Sequence, residues 1–198
     1  MDIAQMRARV RRDLHDEDAA SYRWTDAELD RHIQRAVAEL SLAAPLETRA
    51  SLTTSGGREL DIGGLSGQVA IEAVEYPAGS YPASLAPFSL WGDTLTLLVD
   101  QEPPSGETVY VYYGKLHTLD AAGSTLPVAL QEVVAAGAAA YAALEWASFA
   151  ANRVNVGGEE VWRRYLALGQ ERLAAFAEAL ARLSRRLKLR RLHRPGEP

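Results

Sequence analysis

The sequence predicts an α+β fold: a helical frame of about four helices, an inserted small antiparallel β module, a long C-terminal helix and a basic tail. Three observations predict it. Apolar residues recur three and four positions apart over the first 45 residues and again from about residue 126, the spacing of a helix face. Between residues 48 and 113 the period shortens to two, in short runs separated by Gly- and Pro-rich turns. Finally, 47% of the 198 residues are apolar, 24% are charged and none is cysteine, so a packed core is available. Disulfide frameworks, zinc folds and thiol nucleophiles are excluded. The organisation reads as an N-terminal helical pair (1–45), the β module (46–120), long helices completing the frame (121–183) and the tail (184–198).

In the first helix, Asp2 stands as N-cap, and Ile3, Met6, Val10 and Leu14 follow at spacings of three, four and four, one narrow buried stripe. A polar loop (HDEDAASYR) leads to WTDAEL. There Thr25 can accept the amide of Glu28, Glu28 can return the bond, and Trp24 can staple onto Leu29, a specific helix-start signature. Leu29, Ile33, Val37 and Leu40 continue the stripe, and the helix should stop before Pro45.

Residues 48–54 and 58–62, joined by Ser55-Gly56-Gly57, read as a hairpin. Residues 69–76 make a third strand. FSLW and TLTLLV around Gly92-Asp93 form a second hairpin, and TVYVYY (108–113) closes a set of about six strands, a compact sheet or small barrel.

Helix resumes near Leu126, with Pro127 in its first turn. One stripe carries Leu130, Val134, Gly137, Tyr141, Leu144 and Ser148, and the opposite one carries Ala136, Ala140, Ala143, Ala147 and Ala151. A helix apolar on both sides must be covered on both sides, and the alanine face admits another helix closely. The apolar run between Glu132 and Glu145 has only twelve residues, short of the ~20 that span a bilayer, and the N-terminus has no apolar signal core. A soluble intracellular protein without a membrane partner is the expectation. After Asn155-Val156-Gly157-Gly158, the last helix places Trp162, Leu166, Gly169, Leu173, Phe176, Leu180, Leu183 and Leu187 at alternating spacings of four and three. This is a coiled-coil-like seam roughly 40 Å long at 1.5 Å per residue, to be buried within the chain or by a second copy. The R-L-K-L alternation beyond it fits a strand as well as a helix.

Charge is unevenly distributed. Residues 45–120 hold ten acids and three bases, whereas residues 182–194 hold seven bases and no acid, so the two regions should face different partners. The basic segment suits phosphate-backbone contact, an acidic or strand-edge groove of a protein, or simple solvation. It lacks the interleaved aromatics that stack bases.

Catalytic patterns are sparse. The phosphate loop G-x-x-x-x-G-K-[ST], H-E-x-x-H and G-x-S-x-G do not occur. Gly63-Gly64-Leu65-Ser66-Gly67 lacks the following helix that a phosphate cradle uses, and reads as a plain loop. Asp16-Glu17-Asp18 does not converge as a calcium loop does. His15, His32, His117 and His193 lie in separate segments and suit ordinary hydrogen-bonded roles. No metal or cofactor is expected.

The order of elements completes the reading: an arginine-bearing helix (MRARVRRDL), an acidic loop leading to WTDAELDRHIQRAVAELS, a strand module with VEYP and GDTLTL ending in VYVYYGKLHTL, then LPVALQEVVAAGAAAYAALEWA and a long terminal helix. This order resembles the head-to-tail adaptor (connector) proteins of tailed bacteriophages. The resemblance covers most of the chain through short, degenerate motifs. It implies a non-enzymatic virion structural protein at the head-tail junction, assembled in the host cytoplasm. Such proteins form rings, usually twelvefold, beneath the portal protein, meet a tail or stopper protein, and let packaged duplex DNA pass through a channel. On that reading Arg182, Arg185, Arg186, Leu187, Lys188, Leu189, Arg190, Arg191 and Arg194 are portal-binding. Ala136, Ala140, Ala143, Ala147 and Ala151 are the subunit interface, and Glu72, Glu75, Asp93 and Glu102 face the channel or the tail. The alternative is a nucleic-acid-binding accessory protein that uses the basic tail.

Overall fold

The structure, a computed structural model, describes residues 1–151 and 160–192, with side chains of the last helix described as far as Arg185. The described residues form an α+β fold, with four helices and two small antiparallel sheets. Two compact units divide the chain: Met1–Ala44 with His117–Pro198, and Pro45–Leu116.

The helical unit begins with α1 (Ile3–Leu14). Asp2 accepts the Gln5 amide at 2.8 Å and the Gln5 side chain accepts the Asp2 amide at 3.0 Å, satisfying two of the orphan donors of a helix start. Helix α2 (Asp26–Ala43) opens with the expected reciprocal pair: Glu28 N–H donates to Thr25 Oγ1 at 3.3 Å, and Thr25 N–H donates to Glu28 Oε2 at 2.7 Å. Trp24 and Leu29 are both buried in one core with Met6, Val10, Ile33 and Leu40. Helices α3 (Val128–Ala150) and α4 (Val161–Leu192) complete the unit, α3 being in contact with each of the other three. By length and composition α3 could cross a bilayer, but most of it is buried, as in a core helix.

The seam of α4 turns inward along its described length. Gly169 and Phe176 are buried, Trp162, Leu166, Leu173, Leu180 and Leu183 partly so, while Arg163, Glu171, Glu178 and Arg182 are exposed. The close approach of α3 and α4 rests on two glycines. A Cβ on Gly137 would meet the Phe176 ring at 2.8 Å, and one on Gly169 would meet Leu144 Cγ at 2.7 Å. The alanine face expected to meet another copy is instead covered within the chain. Ala140, Ala143 and Ala147 are buried and Ala136 partly so, leaving Ala151 exposed. Physically, a helix without a polar face is central, and its small side chains let the chain's own helices close over it.

Residues His117 to Asp120, expected with the strands, belong to the helical unit. Leu119 is buried among the helices, Gln34 donates to the Leu119 carbonyl at 2.7 Å, and Ile3 N–H donates to the Asp120 carbonyl at 3.0 Å. His117 is laced to the end of α2. Its amide donates to Ser41 Oγ at 3.0 Å, its Nε2 lies 3.1 Å from the Ala44 carbonyl oxygen, and Ser41 Oγ donates to the Val37 carbonyl at 2.6 Å.

The β unit holds β1 (Leu46–Thr53), β2 (Glu59–Asp61), β3 (Gln68–Glu75), β4 (Phe88–Trp91), β5 (Thr94–Leu97) and β6 (Thr108–Lys115). Its sheets have the orders β1-β6-β3 and β2-β5-β4. The hairpin around Gly92-Asp93 is present as β4–β5. The hairpin expected around Ser55-Gly56-Gly57 is not: β1 pairs with β6, Leu46 opposite Lys115 and Thr53 opposite Thr108, and β2 pairs with β5. The reason lies just beyond β1. Gly56 (φ 93°) and Gly57 (φ 121°) occupy backbone that favours glycine and carry the chain off to the second sheet. Buried Thr54 locks the end of β1 to the start of β6, its hydroxyl donating to the Pro104 carbonyl at 2.5 Å and accepting the Glu107 amide at 3.0 Å. Leu60, Leu95 and Leu97 from one sheet join Val74, Val109 and Val111 from the other in a single core.

Candidate assembly surfaces

The basic residues at the end of α4 stand on a continuous helix. Its backbone is helical to Leu192, so the R-L-K-L alternation folds as helix, and the tail expected from residue 184 continues α4 to that point. Arg182 and Arg185 are exposed, and Arg182 Nη1 lies 3.8 Å from Glu178 Oε1, one turn back. An exposed pair of this kind contributes little and leaves the guanidinium available. The side chains of Arg186, Leu187, Lys188, Leu189, Arg190 and Arg191, and all of Arg194, lie outside the described residues.

The acidic candidates do not form one surface. Glu75 is 4% exposed and serves as an internal brace. Its carboxylate accepts the Tyr112 hydroxyl at 2.6 Å and the Gly79 amide at 2.7 Å. The Tyr112 bond, then the Gly79 bond and the Arg49 charge, hold it below the usual carboxylate range despite burial. A carboxylate engaged in this way faces neither channel nor tail, which corrects its assignment. Glu72 is half-buried on β3, Asp93 is exposed at the β4–β5 turn, and exposed Glu102 pairs with Arg58 at 3.1 Å.

Sequence reading missed a buried ionic knot in the helical unit. Arg11 is 5% exposed, and donates to Asp16 Oδ2 at 2.6 Å, the Trp24 carbonyl at 2.9 Å and Asp26 Oδ1 at 2.8 Å. Asp26 is held below the carboxylate range first by the Arg11 hydrogen bond, and Arg7 also pairs with it. Its sequence signal was faint: one arginine beside the apolar stripe, with acids five and fifteen positions on. Asp16, weighed as a cation ligand, is consumed by this knot, and the described residues contain no group of three or more metal-ligating side chains. Beside it Trp24, Trp146 and Tyr165 meet edge-on at 5.9 to 6.3 Å, with the Arg23 guanidinium 4.9 Å from the Trp146 ring centre. His32, buried on α2, lies with Nε2 2.5 Å from Glu145 Oε2. The β unit also exposes Trp91 (89%), Tyr81 and Leu98.

The chain thus combines a helical unit that carries charged surfaces with a separate β unit inserted between α2 and α3. The profile of the SU10 adaptor protein family matches residues 1–198, and the chain belongs to that family. It is a head-to-tail structural adaptor of a bacteriophage-type virion, a class that is not an enzyme class. No curated protein matches the chain in sequence. Among solved structures it is similar to a chain in the neck of an empty GTA particle computed with C6 symmetry, at 16% identity, over 83% of this chain and 88% of that one, with a TM-score of 0.31.

Proposed function

We propose that the protein joins the portal protein to the tail as one subunit of a ring, twelvefold by the family resemblance, whose channel passes duplex DNA. On this reading it is assembled in the host cytoplasm, meets a tail or stopper protein, and anchors to the portal through the basic end of α4. The observation that carries the reading is α4 itself. Its seam is packed against the helical core as far as Leu183, while Arg182 and Arg185 are exposed and the helix runs on to Leu192 through arginine-rich sequence. A stiff helix presenting guanidinium groups pre-orders their forks for carboxylates on a partner and lowers the entropy cost of docking. Exposed Asp93 and Glu102 border the DNA path on the same reading, where negative charge discourages phosphate sticking.

The test is deletion of residues 184–198, followed by attachment to portal-bearing heads and thermal unfolding of the isolated protein. Lost attachment with a nearly unchanged thermal transition is the expected result. Normal attachment by the truncated protein overturns the anchor. Salt-sensitive duplex binding by a monomer, lost on truncation, would favour the nucleic-acid-binding alternative.

A further inference from the structure

We infer that the cleft between the C-terminal end of α1 and the first turns of α4 is a docking site for an acidic peptide segment of a partner protein, one whose carboxylates flank an apolar side chain. The cleft has a volume of about 590 Å³, and its apolar lining is buried Leu14 with half-buried Val161, Tyr165 and Leu168. Its polar lining is exposed His15, Arg23 and Arg164 with half-buried Arg172, and Asp13 is the one carboxylate among the described lining residues.

Charge accounting singles this place out. Most described arginines of the helical unit, Arg7, Arg11 and Arg31 among them, pair with a carboxylate. Four arginines of the helical unit form no ion pair among the described residues: Arg185 stands alone near the end of α4, and the other three, Arg23, Arg164 and Arg172, line this cleft. Each keeps donors to give. Arg23 lies 4.9 and 5.1 Å from the ring centres of Trp146 and Tyr165, and a cation–π contact consumes none of its N–H groups. Arg172 spends one donor on the Asp13 carbonyl at 2.9 Å, covering the end of α1 where carbonyls lack partners. Exposed Arg164 has no side-chain partner among the described residues.

The shape selects the class of partner. A duplex presents phosphates on a convex surface and gains nothing from an apolar lining. An extended peptide gains on both counts, seating an aliphatic or aromatic side chain against Leu168 and Tyr165 while flanking carboxylates take the arginine forks. This site is independent of the portal anchor, since it uses the beginning of α4 and the anchor uses its end.

The test uses the full chain and a fluorescein-labelled octapeptide of alternating glutamate and leucine, read by fluorescence anisotropy. A lysine–leucine octapeptide and a short DNA duplex serve as competitors. The acidic peptide is expected to bind, to weaken about tenfold in Arg164→Glu and less in Arg164→Gln, and to bind nearly as wild type in Arg35→Glu, at an exposed position of α2 outside the cleft. Trp fluorescence should report the same order, because Arg23 sits over the Trp146 ring. Equal affinity in a folded Arg164→Gln or Arg164→Glu protein overturns the site, as does no binding up to about 1 mM peptide. Displacement of the peptide by duplex, in an Arg164-dependent manner, would make the cleft a nucleic-acid site and equally overturn the proposal.

Discussion

Gly169 of α4 lies against Leu144 of α3 with no space for a side chain: a Cβ there would stand 2.7 Å from Leu144 Cγ and 3.1 Å from the Leu144 backbone nitrogen. In an open helix, glycine to alanine stabilises by up to about 1 kcal/mol. Here the added methyl meets a backbone atom that cannot move alone, and overpacking costs ~1 to 3 kcal/mol. Gly169→Ala is therefore expected to lower the thermal midpoint. Gly137→Ala should do likewise against the Phe176 ring, which is 2% exposed. A raised midpoint in either variant would show that the helices can separate without loss.

Arg11→Met should destabilise far more than a surface substitution. It leaves the buried carboxylate of Asp16 without its cation, and breaking one side of such a pair costs about 3 to 5 kcal/mol. Adding Asp16→Asn should restore part of the loss in urea titrations. If the single and double variants unfold at the same urea concentration, the charge left behind is not the cause.

Alkaline stability should depend on Tyr141. Burial foremost, then the bond to Glu39 Oε2 at 2.6 Å, pushes its hydroxyl up to about 12. A raised folded value means that this contribution is intact below the unfolded value near 10 and is lost as pH rises from there through about 12. Wild type should therefore lose stability over that window, and Tyr141→Phe should lose less. Parallel melting curves for the two proteins from pH 9 to 12 would contradict the assignment.

Glu75 and Asp93 should differ sharply in how much loss of charge costs. Glu75→Gln disturbs a carboxylate that accepts two hydrogen bonds inside the β unit and should cost about 1 to 3 kcal/mol. Because its folded value is depressed, the stability it contributes is present above about pH 4 and is lost as pH falls through the folded value. Asp93→Asn, at an exposed turn, should change stability by no more than about 0.5 kcal/mol. The comparison can be read from the unfolding of the two variants at pH 7 and pH 3.

Local chemistry was legible in the sequence where the signal was itself local. Asp2, the Thr25/Glu28 pair and the stop before Pro45 involve residues a few positions apart, and the seam from Trp162 to Leu183 states its own period. Pairing was not legible. The alternation in β1 announces a strand, but its partner β6 begins 55 residues beyond the end of β1 (108 − 53), and the decision lies with Thr54 and two positive-φ glycines. Alanine composition likewise announced that both faces of α3 must be covered without saying by what. Glu75 read as a channel- or tail-facing acid and Arg11 drew no reading of its own, because a buried ion is recognised by partners that only the fold brings together.

The hydrogen bonds from His117 to Ser41 and Ala44 bear on how such a chain can change over generations. Leu46 and Lys115 face one another at the root of the first sheet, and the helical residues on either side of the excursion are already fastened together. The helices thus present a closed socket, and whatever loops out between Ala44 and His117 need only bring its own two ends within a strand's width. Because closing a loop grows only logarithmically more costly with length, a longer or shorter excursion perturbs the socket little. The β unit is in this sense a replaceable fitting: its length can change while the helical ends that flank it stay fastened together.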